Sequence, residues 1–376
     1  MTAPARILHL HSSFTLGGKE ARATRLMNLM GPRAEHVVLS ATPDALGARA
    51  AIASDIAVEF PGTAAPALHG RPGLHRYRAL ARYMQGFDLV LSYNWGAMDG
   101  VMAHRLLSPF MPLPPLIHHE DGFNEDEAVK RNWQRNAFRR LALPTAKSLV
   151  VPSELLARIS SAEWGREAAL IRNGIDVARY AGPPDVKIPQ LERTADDVVI
   201  GTVAGLRKVK NLPALVIAAG HVKKRVKLAI VGEGPERQEI IACAISCGWD
   251  NRFVMPGFMA EPHRWIGDFD ILALSSLSEQ APIAVIEAMA AGKPIASYDV
   301  GDVKAMVSEE NQPFIVSDPH QLSTVLDHLA SDAKLRQRIG AANAVRAAQL
   351  FDERTMVAAY DQLYAGALGG RSLFTA

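Results

Sequence analysis

SSLSEQAPIAVIEAMAAGKPIASYDV, residues 275–300, sets two glutamates, Glu279 and Glu287, around a short apolar stretch that stops at Gly-Lys-Pro. A β-rich apolar run at 271–274 leads into it, a helix carrying Glu287 in its first turns follows, and a second strand is expected at 294–297. The loop between them lies at the carboxyl end of a strand and the amino end of a helix. Free backbone N–H groups and the helix dipole there favour an anion such as a phosphate. Carboxylates beside a phosphate do not attract it, so their fitting chemistry is to accept hydrogen bonds from the hydroxyls of a sugar or a ribose. The competing reading makes both glutamates solvated charges at a helix start.

Outward from this segment, apolar strand-like runs alternate with helical stretches. In the first half they fall at 7–10, 37–39, 89–92, 116–118 and 149–151, and in the second at 198–202, 228–231, 252–254, 271–274 and 294–297. This alternation predicts two doubly wound parallel sheets. Residues 181–197, rich in Pro, Lys, Glu and Asp, read as the linker, and 366–376 as a weak tail. A chain of 376 residues exceeds what one core usually serves, so two domains with a ligand cleft between them are expected.

A net charge of +2, with basic residues spread along the chain, gives no footprint for nucleic acid. Cys243 and Cys247, four apart in an expected helix, suit buried thiols in a reducing compartment. The reading finds no secretory leader and no apolar run of ~20 residues, so a cytoplasmic location is expected.

Several loops carry polar chemistry. Gly17 and Gly18 precede an expected helix, either as a plain turn or as a place where backbone approaches an anion. IGTVAGLRKVKN, 200–211, is a strand running into a basic loop that holds Arg207, Lys208 and Lys210. VGEGP, 231–235, follows another strand. His118, His119, Glu120 and Asp121 crowd the end of the strand at 116–118 and are expected to face the cleft. His9 and His11 alternate on the first strand, as core or cleft-lining histidines or as a metal pair. KRNWQRNAFRRLAL, 130–143, places Trp133, Ala137, Phe138 and Leu141 on one helical face and Arg131, Arg135 and Arg139 on another. The expectation is an apolar face in the core and arginines in water. The alternative is a basic amphipathic helix on an anionic membrane surface.

The pattern of glutamate, seven residues, glutamate, then Ala-Met-Ala-Ala-Gly-Lys-Pro closely resembles the signature of family 4 retaining glycosyltransferases of the B-type fold, and the resemblance covers nearly the whole chain. It implies an α/β architecture of two Rossmann-like domains facing across a cleft. Residues 1–185 would bind the acceptor, 186–352 the nucleotide sugar, and a terminal helix at 353–376 would pack back on the first domain. By motif position, Glu279 would touch hydroxyls of the donor sugar and Glu287 the ribose. Lys210 and Arg207 would stabilise the departing diphosphate, with Arg207 reaching from two residues beyond the family's arginine position at Gly205.

The resemblance also assigns Gly17, Gly18, Gly232, Gly234, Gly257, Phe258, Ala281, Pro282 and Ile283 to the donor. The family's glycine after the first glutamate is replaced by Gln280 and Ala281. At the acceptor side Asp121 stands where many members have a histidine, with His118 and His119 upstream. Either a histidine or the Asp121 carboxylate would receive the proton of an attacking hydroxyl. Asn173-Gly-Ile-Asp176 and Ser153 resemble structural turns of the family, and Asp268-Phe-Asp270 reads as structural.

The implied activity is transfer of a sugar from a UDP- or GDP-sugar to a hydroxyl on a glycan, a lipid-linked saccharide or a small metabolite. It needs no metal and no cofactor beyond the donor, and the protein would sit in the cytoplasm with peripheral contact at the inner membrane face. A sugar-nucleotide 2-epimerase of the same architecture and a non-catalytic scaffold remain as alternatives.

Overall fold

The computed structural model describes residues 3–71, 73–123, 127 and 130–374. The chain forms two compact units, one of Met1–Arg172 with Met356–Ala376 and the other of Asn173–Thr355. The first holds a seven-stranded parallel sheet in the order β3-β2-β1-β4-β5-β6-β7. Its strands are β1 Ala5–His11, β2 Ala34–Ser40, β3 Val58–Glu59, β4 Leu89–Tyr93, β5 Leu116–His119, β6 Ser148–Val151 and β7 Ala169–Leu170. The second unit holds a six-stranded parallel sheet ordered β10-β9-β8-β11-β12-β13. These strands are β8 Val198–Val203, β9 Val226–Val231, β10 Phe253–Gly257, β11 Ile271–Leu274, β12 Ile295–Tyr298 and β13 Ile315–Val316.

Parallel strands are covered on both faces, which is why these runs are apolar almost without interruption. In β8, Val198 and Ile200 enter one core and Val199 the other. Gly201 in the same strand leaves room for Phe269, whose ring would lie 2.3 Å from an added Cβ. In the first unit, Leu8, Leu10, Val90 and Leu116 face one core. Ile7, Leu91, Tyr93 and Ile117 face the other, where they meet Met356, Tyr360 and Tyr364 of the helix Glu353–Ala367.

Two boundaries differ from the sequence reading. The break expected after residue 185 falls after Arg172, and the segment 181–197 is no linker. Ile188 is buried in a core of the second unit, the Asp185 N–H donates to the Arg264 carbonyl at 2.9 Å, and Arg193 holds both oxygens of Asp270 at 2.8–2.9 Å. Composition marked this stretch as loop; its long-range ion pairs fix it to the domain. Asp270 also accepts from the Val199 N–H at 2.8 Å, an anchoring role. Of the two thiols, Cys243 is half-buried and Cys247 exposed, because the helix Arg237–Ser246 ends just before Cys247.

Candidate active site

Each sheet reverses its strand order once, between β1 and β4 in the first unit and between β8 and β11 in the second. Ligands of open α/β sheets lodge at such switch points, outside the carboxyl ends of the strands. In the second unit the loop after β8 carries Lys210 and the loop after β11 carries Glu279. Lys210 Nζ lies 2.5 Å from Glu279 Oε1, and both side chains are mostly buried. Three further bonds register the loops. Ser276 Oγ donates to Glu279 Oε1 at 2.7 Å, Ser275 Oγ to the Lys210 carbonyl at 3.0 Å, and the Leu277 N–H to the Val209 carbonyl at 2.8 Å. Arg207 is exposed, and its Nε lies 3.7 Å from where a Gly205 Cβ would stand, so it folds back beside Gly205.

The neighbouring strand-end loops are tied into a continuous rim. The Ala204 N–H donates to the Val231 carbonyl at 3.0 Å, Leu206 to Glu233 at 2.9 Å, and Gly232 to Gly257 at 2.9 Å. A Cβ on Gly232 would meet the Ala204 oxygen at 1.9 Å, and one on Gly234 the Leu206 oxygen at 2.4 Å. These glycines therefore let loops approach each other, a requirement distinct from the ligand approach expected from sequence. Gly232→Ala should break the rim and reduce the stability of the second unit by a few kcal/mol, which a urea melt checks.

On the other side, the Asp302 N–H donates to the Gln280 carbonyl at 2.8 Å beside Gly301, which has φ 58° and where an added Cβ would stand 2.5 and 2.6 Å from the Glu279 and Gln280 carbonyl oxygens. Ala281 is buried, with its carbonyl held by Asn173 Nδ2 at 2.9 Å. Pro282 precedes the helix Ile283–Ala290. Glu287 on that helix accepts from the Tyr180 hydroxyl at 3.0 Å. Burial pushes its carboxyl up to about 7 against the opposing pull of that bond. Phe258, just past β10, is exposed.

The first unit treats its candidates differently from the sequence expectation. His118 and His119 do not face open solvent. They are buried on opposite faces of β5, as neighbours on a strand must be. His118 Nδ1 bonds Ser92 Oγ at 2.9 Å, whereas His119 Nδ1 lies 3.3 Å from the Ser92 carbonyl and its Nε2 lies 3.4 Å from the Tyr364 hydroxyl. Burial, with the nearby Arg22 charge, pushes His119 down to about 3. Asp121 is not an idle base: Arg22 grips it at 2.6 and 2.8 Å. Although burial alone would raise its pKa, that guanidinium holds the carboxyl below its usual value.

Asn94, in the left-handed region at φ 57°, accepts the Asp121 N–H at 2.7 Å and donates its own N–H to the His119 carbonyl at 2.8 Å. Gly17 and Gly18 begin the helix Gly18–Met30, but Glu20 is buried in its first turn and pairs with Lys19. That helix start thus already has a carboxylate. His9 and His11 point into the core: His9 Nε2 bonds His36 Nδ1 at 3.0 Å, and His11 stacks on Tyr93 with centroids 4.1 Å apart. Among the described residues no group of three or more His, Cys, Asp or Glu side chains is placed to hold a metal.

The helix Trp133–Ala142 follows the expected packing at Phe138, which lies against the core, and at the exposed Arg131, and departs from it elsewhere. Trp133 is 75% and Leu141 59% exposed, whereas Arg139 is fully buried. Its guanidinium pairs with Glu120 at 3.1 Å and Glu127 at 3.4 Å and lies 5.0–5.4 Å from the rings of Trp95, Phe123 and Trp164. Two carboxylates and three aromatic faces together can replace water around one cation.

Sequence reasoning missed Tyr180, Ser276, Gly301, Arg22 and Asn94. The Asn-Trp-Gly run after β4 is a turn signal, and Ser276 lies three residues from its partner Glu279; Tyr180, Gly301 and Arg22 become meaningful only through partners far along the chain.

Comparison with known proteins fits this arrangement. Residues 185–346 match the family model described as glycosyl transferases group 1. Glycosyltransferase EpsF of Bacillus subtilis is 31% identical over 178 residues, covering 43% of this chain and 46% of that protein. The lipopolysaccharide core biosynthesis glycosyltransferase LpsD of Rhizobium meliloti is 25% identical over 57% of this chain and 62% of its own length. The chain spans about half the length of the curated relatives it matches. Among solved structures, HepE of Anabaena in complex with UDP and glucose superposes with a TM-score of 0.76 at 20% identity, covering 98% of this chain and all of that one. WaaG, a glycosyltransferase involved in lipopolysaccharide biosynthesis, gives 0.68 at 14% identity over 95% and 99%. These likenesses show the fold to be the B-type glycosyltransferase fold.

Proposed function

Because residues 185–346 carry the glycosyl transferases group 1 domain within a chain of the B-type fold, we propose that this protein is a retaining glycosyltransferase that moves a sugar from a nucleoside diphosphate to a hydroxyl acceptor. The observation that carries the reading is the meeting of Lys210 and Glu279 at the switch point between β8 and β11. An ammonium there can neutralise the charge that develops on a departing diphosphate. Arg207, folded back beside Gly205, adds a second cation. Glu279, held by Ser276, accepts hydroxyls of the donor sugar once the phosphate competes for Lys210. Glu287 accepts the ribose hydroxyls, and Ala281 and Ile283 offer backbone N–H groups at a helix start, with Pro282, which has no N–H, setting the turn between them. Gly257 and Phe258 flank the base, UDP being the first choice since HepE binds it. The first unit would hold a glycan, a lipid-linked saccharide or a small metabolite, with Asp121 and Arg22 shaping the strand end.

The test is release of nucleoside diphosphate from UDP-, GDP- and ADP-sugars with and without a mixed glycan and lipid extract. Release that requires the extract supports transfer. Isomerisation of the donor without acceptor would replace it with an epimerase, and no turnover of any donor with the extract present would contradict the proposal.

The exposed stripe of Trp133, Ala137 and Leu141, flanked by the exposed Lys130, Arg131 and Arg140, fits the surface of an anionic bilayer. No helix among the described residues is long and apolar enough to cross a membrane, so this contact would be peripheral. Binding to phosphatidylglycerol vesicles should exceed binding to phosphatidylcholine vesicles and fall at least ~10-fold when Trp133→Ser and Leu141→Ser are combined. Equal binding by that variant would contradict the assignment.

A further inference from the structure

We propose that Tyr180 is a positioning residue for the donor: its hydroxyl fixes the Glu287 carboxylate in the orientation that receives the ribose, and its ring links that carboxylate to the loop following β10. The proposal rests on the donor-binding role given to Glu287 above.

Tyr180 closes the 3₁₀ turn Val177–Tyr180, in a segment that the sequence left as the approach to a linker. Its ring is buried in the same core as Trp265, Ile266, Val285 and Met289, and its hydroxyl donates to Glu287 Oε1 at 3.0 Å. A buried phenol pointing at one carboxylate oxygen orients the group and leaves the acceptor capacity of the other oxygen for a ligand. The opposite side of the ring meets His263 edge-on, with centroids 5.9 Å apart. Arg179 Nη2 donates to His263 Nε2 at 2.8 Å, which requires that nitrogen to be unprotonated. His263 lies on the turn Pro262–Arg264, five residues past Phe258. One residue from the edge of the domain therefore touches the ribose-binding carboxylate and the loop that leads away from the base.

The pH behaviour separates positioning from general structural support. Glu287 is pushed up to about 7 by burial, and the Tyr180 bond is what opposes that rise. Other titratable or charged groups around the pair are Asp176 and Arg179 on the turn of Tyr180, His263 behind its ring, and Asp268 on the adjacent turn Ile266–Asp268. The helix Ala333–Leu350, packed along the helix of Glu287, has Ile339, Gly340, Asn343 and Ala347 as its buried positions, none of which titrates. A protonated Glu287 donates one hydrogen bond and accepts fewer, so ribose recognition should weaken as pH falls through about 7.

The experiment is calorimetric titration of the full chain with UDP, or with GDP should UDP not bind, from pH 6 to pH 9. The wild type, Tyr180→Phe and Glu287→Gln are compared. The wild type should bind more weakly below neutrality. Tyr180→Phe keeps the ring and loses the bond; its affinity step should move to higher pH, leaving binding ~10-fold weaker at pH 7, and because the ionised carboxylate is no longer held a smaller loss should persist at pH 9. Glu287→Gln should remove the step. A Tyr180→Phe loss of equal size at every pH, or no change, would overturn the positioning role. Glu287→Gln binding as tightly as wild type throughout would instead reject the reading of Glu287 itself, so the two failures are told apart.

Discussion

Lys210→Ala should lower kcat by ~10²–10³-fold with a much smaller change in donor KM, because the loss falls on charge that grows as the glycosidic bond breaks. The ammonium is held by Glu279 at 2.5 Å, and Glu279 in turn by Ser276 at 2.7 Å. The arrangement keeps a cation ready at the strand ends without an unpaired buried charge, which would cost several kcal/mol. Lys210→Arg should restore little, since a planar guanidinium cannot take the point-charge position between Glu279 and the phosphate. Steady-state kinetics with the best donor check this. A loss confined to KM would reassign Lys210 to ground-state binding.

The second large effect is expected in acid. His9, His11, His36 and His119 are all buried in the first unit; burial pushes His36 down to about 4, His119 to about 3, and His9 and His11 well below the ordinary value. In the unfolded chain each takes a proton near 6.5. Their folded values are depressed, so each contributes stability that is full above 6.5 and is lost as pH falls from there toward the folded value. By pH 5 the loss is about 2 kcal/mol each for His36 and His119, and His9 and His11 add to it in the same direction, a large share of a domain's stability. The Arg22–Asp121 pair acts in a lower window, since a carboxyl held below its usual value loses its stabilising charge only at lower pH.

The first unit should therefore unfold near pH 5 while the second, whose His263 is only partly buried, stays folded. Segment-resolved hydrogen exchange at pH 7.5, 6 and 5 checks the order. His11→Phe is the complementary variant: both ring nitrogens of His11 lack a hydrogen-bond partner among the described residues, and Phe would keep its stack on Tyr93. It should stabilise the first unit and flatten its acid response. Equal stability of wild type and variant at pH 5 would contradict this account.

The sequence made legible what is local. The segment 275–300 declares strand, loop, helix and strand within 26 residues, which is enough to place its glutamates. Lys210 was reachable for the same reason, as a basic loop directly after a strand. What could not be read depends on partners far along the chain. Arg22 reaches Asp121 across 99 positions and Tyr180 reaches Glu287 across 107, and no periodicity encodes either pair. At the helix Trp133–Ala142 the pattern placed Phe138 against the core and Arg131 in water as observed, but it misplaced Trp133 and Leu141, which are exposed, and Arg139, which is buried. Amphipathicity assumes that arginine stays in water, and the Glu120, Glu127, Trp95, Phe123 and Trp164 site around Arg139 removes that assumption. The histidines of β1 were visible by alternation. Their role as core residues was decided by Tyr93 and His36 on neighbouring strands.

The central claim is that the strand ends around β8 and β11 form a nucleotide-sugar site, and titration of the full chain with UDP-glucose and GDP-mannose, beside Lys210→Ala and Glu287→Ala, tests it most directly. The account predicts one site for one of the two donors, with affinity lowered at least ~10-fold by Glu287→Ala and less by Lys210→Ala. Binding of neither donor, or binding that both substitutions leave unchanged, would contradict it.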